Sequence, residues 1–132
     1  MLDTDLCVRV LRDRPQGLRP RLNIGADSLC ISSITFAELV YGAEKSARAA
    51  HNRAEVDQFA ARLRVLAFDD RAAAHSAEIR ANLERRGVPI GAYDVLIAGH
   101  GRSEGLTIVT GNLREFSRVE GLRAEDWLAQ FR

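Results

Sequence analysis

The sequence predicts an α/β protein, a three-layer α/β/α sandwich with a central parallel sheet. The first observation is that short apolar runs alternate along the chain with longer helical patterns, an order typical of strands joined by helical crossovers. The second is that no repeat, low-complexity tract or Gly/Ser linker divides the 132 residues. That length fits one folding unit, so we predict a single domain over residues 1–132.

Four strands are predicted from short branched runs that end at polar residues or glycine. They are the opening Met1-Leu2 and residues 29–32 (LCIS), 64–69 (RVLAFD) and 106–110 (LTIVT). Parallel sheets of this class bind ligands beyond the carboxyl ends of their strands. Residues that directly follow a strand are therefore the candidates for function.

Five helices are predicted between and after these strands, over residues 5–13, 33–46, 47–63, 70–86 and 92–104. In the second, Phe36, Leu39, Val40 and Ala43 form an apolar stripe, which places Glu38 on a different face. In the last, residues 95–98 are all apolar, so this helix is expected to be central.

Composition limits the protein's class and location. The net charge of +1 argues against nucleic-acid binding by bulk charge alone, although a local basic patch stays open. No apolar run is long enough for a membrane span and no signal-peptide pattern is present, so we predict a cytoplasmic protein. Cys7 and Cys30 lack a metal or redox spacing, and we assign them to packing as thiols.

Three carboxylates are candidates for function, and each has a structural alternative. Asp3 ends the first strand, but it also stands where a helix N-cap would. Glu38 completes a Thr35-x-x-Glu38 capping box. Asp94 lies in the first turn of its helix, where a negative charge complements the helix dipole.

Other polar residues give weaker signals. The turn after the last predicted strand contains Asn112 and Glu115, and short polar turns after strands are common. His75 and His100 lack ligand spacing and are predicted to be structural or surface residues. Asp3-x-Asp5 also resembles a haloacid dehalogenase-like phosphatase site, but that class needs a long cap segment and later Lys and acidic motifs.

Taken in chain order, these segments resemble the PIN-domain ribonucleases, specifically the VapC-type toxins of bacterial toxin–antitoxin pairs. The segments that carry the resemblance are LDTD, ISSITFAELVYGAEKS, GAYDVLIAGHGRSEGLTIVT and GNLREFSRVEGL. The resemblance runs from Leu2 to Trp127, and its most specific part is residues 94–116.

This resemblance implies a metal site. Asp3, Glu38 and Asp94 would hold Mg²⁺ or Mn²⁺, for which carboxylate oxygens are suitable ligands. Asn112 stands where many PIN domains have an aspartate, so either Asn112 or Glu115 would supply a fourth catalytic position. Asp5 stands where many relatives have asparagine.

The resemblance also implies a function and partners. The expected function is that of a metal-dependent endoribonuclease that cleaves tRNA and so inhibits translation. Similarity to the enteric VapC toxins suggests initiator tRNA as the target. The expected partner is a VapB-type antitoxin, and operator DNA would be bound only through this antitoxin. A homodimer is also expected.

Six arginines flank the motif segments and are candidates for RNA phosphate contacts: Arg85, Arg86, Arg102, Arg114, Arg118 and Arg123. Asn112 keeps open an alternative, a catalytically weak PIN scaffold that binds RNA or protein.

Overall fold

The structure is a computed structural model that describes residues 1–129, apart from the side chains of residues 24 and 26. The last three residues of the predicted domain, 130–132, lie outside the described residues, and the extent 1–132 stays a prediction. No helix in the described part of the chain is long and apolar enough to cross a membrane.

Two helices precede each of the first three strands of the described chain, and one helix precedes the fourth. The helices are α1 Thr4–Leu11, α2 Leu18–Ile24, α3 Ser33–Glu44, α4 Ala49–Ala61, α5 Asp70–Arg85, α6 Ala92–Ser103 and α7 Leu113–Phe116. The strands are β1 Cys30–Ser32, β2 Arg64–Leu66, β3 Thr107–Thr110 and β4 Arg123–Asp126. A 3₁₀ turn, Ala26–Ser28, precedes β1.

The opening residues join two pairs of parallel strands. β1 pairs with β2, and β3 pairs with β4, both in parallel. Between the two pairs lies the opening segment: the Leu2 N–H donates to the Cys30 carbonyl at 2.9 Å, and the Asp3 N–H donates to the Val109 carbonyl at 3.0 Å. The order across the sheet is therefore β2, β1, the opening segment, β3, β4, and Asp3 emerges at its centre.

Successive side chains of the central strands belong to two different hydrophobic cores. Leu2, Ile31 and Val109 belong to one buried cluster, which also contains side chains of α1 to α4. Their chain neighbours Met1, Cys30 and Ile108 belong to the other cluster, which contains side chains of α5 and α6. Because successive side chains of a strand point to opposite faces, this pattern requires helices on both sides of the sheet. The predicted three-layer α/β/α sandwich is confirmed.

Three elements were not predicted, for different reasons. β4 is an edge strand whose residues alternate between exposed and half-buried, so it has no apolar run to reveal it. α7 is only four residues long. α2 contains Pro20, but in its first turn, where a helix does not need the proline's missing N–H. The predicted opening strand forms a single parallel bridge, Leu2 to Val109, because α1 begins at Thr4.

Candidate metal centre

Asp3 is held by the two elements that meet at the centre of the sheet. It is 2% exposed, its Oδ1 accepts from the Leu6 N–H at 2.9 Å, and its Oδ2 accepts from the Thr110 hydroxyl at 2.5 Å. Asp3 therefore caps α1, as its structural alternative proposed, and also binds the last residue of β3. Burial raises the pKa of Asp3 to about 6, although both hydrogen bonds lower it, and the charges of Asp5 and Glu115 add to the increase.

Glu38 faces the same site from α3. The Thr4 hydroxyl donates to Glu38 Oε1 at 2.6 Å and lies 3.0 Å from Thr35 Oγ1. Since Thr4 directly follows Asp3, this bond brings Glu38 beside the end of the opening segment. The N-cap of α3 is Ser32, whose Oγ accepts from the Ile34 N–H at 3.1 Å. The capping-box interpretation of Thr35 and Glu38 is therefore wrong.

Asp94 forms a carboxyl pair with Glu115. The two side chains are hydrogen-bonded to each other. Burial raises the pKa of Asp94 to about 7, together with the hydrogen bond to Glu115 and the charges of Glu115, Asp3 and Glu38. The four carboxyl groups of the site are therefore close enough to interact electrostatically.

Glu115 is positioned from two sides. The Gly91 N–H donates to its Oε1 at 2.7 Å, and the Asn112 side-chain amide donates to its Oε2 at 2.8 Å. A Cβ at Gly91 would lie 3.3 Å from Asp94 Oδ2, a tight contact, and 3.7 Å from Glu115 Oε1, an ordinary one. Glycine before α6 thus allows the two carboxyls to approach the backbone closely.

The chemistry of this donor set fits a hard divalent cation. Clustered carboxylates repel each other, and Mg²⁺ and Mn²⁺ prefer oxygen ligands. Within residues 1–129, no three His, Cys, Asp or Glu side chains are placed to hold an ion as they stand. The Asp94 carboxyl is hydrogen-bonded to Glu115, and it would hold a cation as its deprotonated form.

The structure brings all five predicted site residues to one edge of the sheet, but in different positions. Asp3 is buried and Glu38, Asp94 and Glu115 are half-buried, whereas Asn112 is exposed and acts on Glu115. Of the two candidates for the fourth position, Glu115 is the one bonded to Asp94. Asp5 lies apart, with 62% of its side chain exposed and an ion pair to Arg9 at 3.1 Å.

Sequence reasoning missed three residues that organise the site: Thr4, Thr110 and Gly91. The Thr110 hydroxyl donates to Asp3 and accepts from the Asn112 N–H at 2.8 Å, which connects the two ends of the site. Thr4 and Thr110 could have been found from their positions in the sequence, because they lie where the opening segment and β3 end.

The two histidines predicted to be structural or surface residues, His75 and His100, have hydrogen-bond partners within the protein. His75 Nδ1 accepts from Arg102 Nε at 2.9 Å. His100 is fully buried, and its Nδ1 lies 2.8 Å from Ser32 Oγ.

Comparison with known proteins gives a consistent result over nearly the whole chain. The family model described as PIN domain matches residues 1–122. The tRNA(fMet)-specific endonuclease VapC of Salmonella typhimurium is 51% identical over 127 residues, which cover 96% of both chains. Ribonuclease VapC2 of Haemophilus influenzae is 47% identical over 128 residues, which cover 97% of both chains.

Solved structures agree with these matches. The chain is similar to VapBC from Salmonella typhimurium bound to DNA, with a TM-score of 0.91, 51% identity and 96% of both chains covered. It is also similar to VapBC2 from Rickettsia felis bound to a promoter DNA fragment, with a TM-score of 0.90, 37% identity and coverage of 96% and 97%. The phosphatase alternative is therefore rejected. The chain belongs to the PIN-domain family and, within it, to the VapC ribonucleases.

Proposed function

We propose that this chain is a divalent-metal-dependent endoribonuclease that acts in the cytoplasm as the toxin of a bacterial toxin–antitoxin pair. The observation that supports metal dependence is the convergence of Asp3, Glu38, Asp94 and Glu115 at the carboxyl edge of the parallel sheet, with the pKa values of Asp3 and Asp94 raised to about 6 and about 7. Such a cluster is unfavourable unless protons or a cation share its charge.

Each protein group has a separate role in this proposal. Mg²⁺ or Mn²⁺ held by Asp3, Glu38 and Asp94 would activate water and neutralise charge that develops on the scissile phosphate. Thr110 and the Leu6 N–H fix Asp3, and Thr4 fixes Glu38, so these two ligands are already oriented. Asp94 would bind the cation as its carboxylate. Glu115, held by Gly91 and Asn112, would provide a further carboxyl group beside the ligands.

The substrate and partners are proposed from the relatives. The enzyme that is 51% identical is named for tRNA(fMet), so we propose initiator tRNA as the substrate. The similar solved structures are VapBC complexes, two of them with DNA, so we propose a VapB-type antitoxin that brings operator DNA. A homodimer stays a prediction.

The predicted arginine set divides by its contacts. Four of the six donate to backbone carbonyls and so hold loops together: Arg86 to Arg118, Arg102 to Glu120, Arg118 to Pro89 and Arg123 to Gly105. For the side chains of Arg85 and Arg114, the described part of the chain shows no hydrogen bond or ion pair. Arg114 directly precedes Glu115, and we propose it as the contact to the RNA backbone.

A nuclease assay with two tRNAs tests this function. Purified protein with Mn²⁺ should cut initiator tRNA and leave elongator methionine tRNA intact, and excess EDTA should stop the reaction. Asp94→Asn, purified identically, is the control for a contaminating ribonuclease. Cleavage that EDTA does not affect would contradict metal dependence. Binding of tRNA without cleavage would instead support the scaffold alternative.

Co-purification tests the toxin assignment separately. When the adjacent upstream open reading frame is co-expressed, its product should purify with this chain and suppress cleavage. If the two do not co-purify and RNA cleavage is unchanged on mixing, the toxin assignment is wrong even if the nuclease assignment survives.

A further inference from the structure

Helix α3 and its C-cap residue Lys45 place three side chains in a row. Glu38, Tyr41 and Lys45 are separated by three and then four residues, the spacing that aligns side chains along one face of a helix. Glu38 is fixed at the carboxylate cluster by Thr4. The row therefore begins at the proposed site of cleavage and extends away from it.

Tyr41 and Lys45 form an exposed aromatic and cationic pair. Tyr41 is 65% exposed, the highest value among the large exposed hydrophobic side chains of the described residues. Lys45 is the only lysine in the sequence, and its Nζ lies 5.0 Å from the centroid of the Tyr41 ring. An aromatic surface next to a cation is the combination with which proteins bind single-stranded nucleic acid.

The spacing of the row matches a nucleotide chain. At about 1.5 Å per residue along the helix axis, Tyr41 is about 4.5 Å and Lys45 about 10 Å from Glu38. A stacked strand advances about 3.4 Å per nucleotide, so Tyr41 is about one nucleotide beyond the carboxylates. Glu38 and Lys45 also line a groove of about 490 Å³ between α1, α3 and α4, together with Arg12, His51 and Glu55, whereas Tyr41 lies outside this groove.

We propose that the Glu38–Tyr41–Lys45 row binds the unpaired RNA nucleotides next to the scissile phosphate, with a base stacked on Tyr41 and a phosphate on Lys45. This inference rests on the proposed function, because the carboxylates define where the RNA backbone must pass. It selects single-stranded RNA over a protein segment because the exposed Tyr41 ring and the Lys45 ammonium lie side by side, the pair of groups that binds a base and its phosphate. Stacking on Tyr41 also requires bases that are out of a duplex.

Binding measurements separate the two contacts. In an Asp94→Asn background, the affinity for a fluorescein-labelled RNA hairpin with a single-stranded loop is followed by anisotropy. Tyr41→Ala should weaken binding roughly tenfold, and Tyr41→Phe should retain the wild-type affinity, because stacking needs the ring but not the hydroxyl. Lys45→Gln should lower the slope of log affinity against log salt by about 0.7, the value for one phosphate contact to a single strand.

Matched controls come from β2 on the sheet edge. Val65→Ala removes another exposed hydrophobic side chain, which is 41% exposed, and Arg64→Gln removes another positive charge. Both should leave the affinity and the salt slope unchanged. A 2-aminopurine placed in turn at each loop position should be quenched at one position by the background protein and not by its Tyr41→Ala variant.

Defined results would overturn the proposal. It fails if Tyr41→Ala binds RNA as tightly as Val65→Ala, or if Tyr41→Phe is as weak as Tyr41→Ala. It also fails if Tyr41→Ala weakens antitoxin capture and leaves RNA affinity intact, since the row would then be a protein-docking surface. Tyr41-dependent binding by a wild-type protein that does not cleave RNA would support the row and contradict the proposed nuclease.

Discussion

Asp3 and Asp94 are both carboxylates with raised pKa values, but they are held in opposite ways. Asp3 is buried and accepts two hydrogen bonds, one from the α1 backbone and one from Thr110. Asp94 is half-buried, and its hydrogen-bond partner is a second carboxyl group, Glu115. Hydrogen bonds lower the pKa of Asp3, whereas the bond to Glu115 raises the pKa of Asp94.

This difference indicates that Asp3 contributes to the folded structure as well as to the site, whereas the Asp94–Glu115 pair is arranged for a bound ligand. Asp3 connects α1 to β3 through its hydrogen bonds with the Leu6 N–H and the Thr110 hydroxyl, contacts that do not involve a cation. The Asp94–Glu115 pair requires a proton or a cation, so it costs stability when it carries neither. Changes at the two aspartates should therefore affect catalysis similarly and stability differently.

The largest effect is expected from Asp94→Asn. The substitution keeps the shape of the side chain but removes a charged ligand, so we expect RNA cleavage to fall by at least ~100-fold, more than is typical for a residue outside the ligand shell. Cleavage of initiator tRNA at saturating Mn²⁺ measures this. Circular dichroism should show an intact fold, and a fully active variant would contradict the site.

The next effect is a pH dependence of stability that Asp94 causes. Its folded-state pKa of about 7 exceeds the ordinary 3.8, so the folded protein binds a proton that the unfolded chain releases. The resulting stabilisation is fully present below about pH 4 and is lost as the pH rises through about 7. After allowance for solvent screening, we expect about 2 kcal/mol.

Urea unfolding of the metal-free protein at a series of pH values measures this dependence. The free energy of unfolding of the wild type, minus that of Asp94→Asn, isolates the Asp94 contribution. A difference that rises with pH would show that the carboxyl pair is not destabilising.

Glu38→Gln should reduce activity and leave stability nearly unchanged. The Gln side-chain oxygen can still accept from Thr4, but it provides no charge to the cation, so cleavage should fall by roughly tenfold or more. The free energy of unfolding, measured by thermal denaturation, should change by less than about 0.5 kcal/mol. A loss of about 1 kcal/mol with full activity would restore the capping role that the structure assigns to Ser32.

The smallest effect is expected on the Asp3 side. Thr110→Val removes the hydroxyl that donates to Asp3 and accepts from the Asn112 N–H, which should cost about 1 kcal/mol. Thr107→Val in the same strand is the matched control, and both are compared by urea unfolding without metal. Equal effects would mean that Asp3 does not depend on this bond.

The sequence singled out candidate residues by their position in the predicted elements. Asp3 ends the opening segment and Asp94 lies in the first turn of a helix that is apolar beyond it, whereas their role as metal ligands is what the family resemblance implies. The capping box at Thr35 failed because β1 ends at Ser32, which caps α3 three residues earlier. Local spacing cannot decide which of several hydroxyl residues terminates a strand.

The rest of the site depends on tertiary contacts. Thr4 and Thr110 are ordinary polar residues until the opening segment lies between β1 and β3. Asn112 and Glu115 could not be distinguished because the outcome depends on α7, a helix of four residues that places Glu115 beside Gly91. Such short elements have no periodicity from which to predict orientation.

A thermal-unfolding cycle tests most directly whether the carboxylate cluster is a cation site. The unfolding midpoint is measured for the wild type and Asp94→Asn, each with Mn²⁺ and with EDTA at pH 7.5. We expect Mn²⁺ to raise the wild-type midpoint by several degrees and the Asp94→Asn midpoint far less, because Asp94 is a ligand. In EDTA we expect Asp94→Asn to unfold above the wild type. Equal Mn²⁺ shifts in both proteins, together with a lower midpoint for Asp94→Asn in EDTA, would contradict the account.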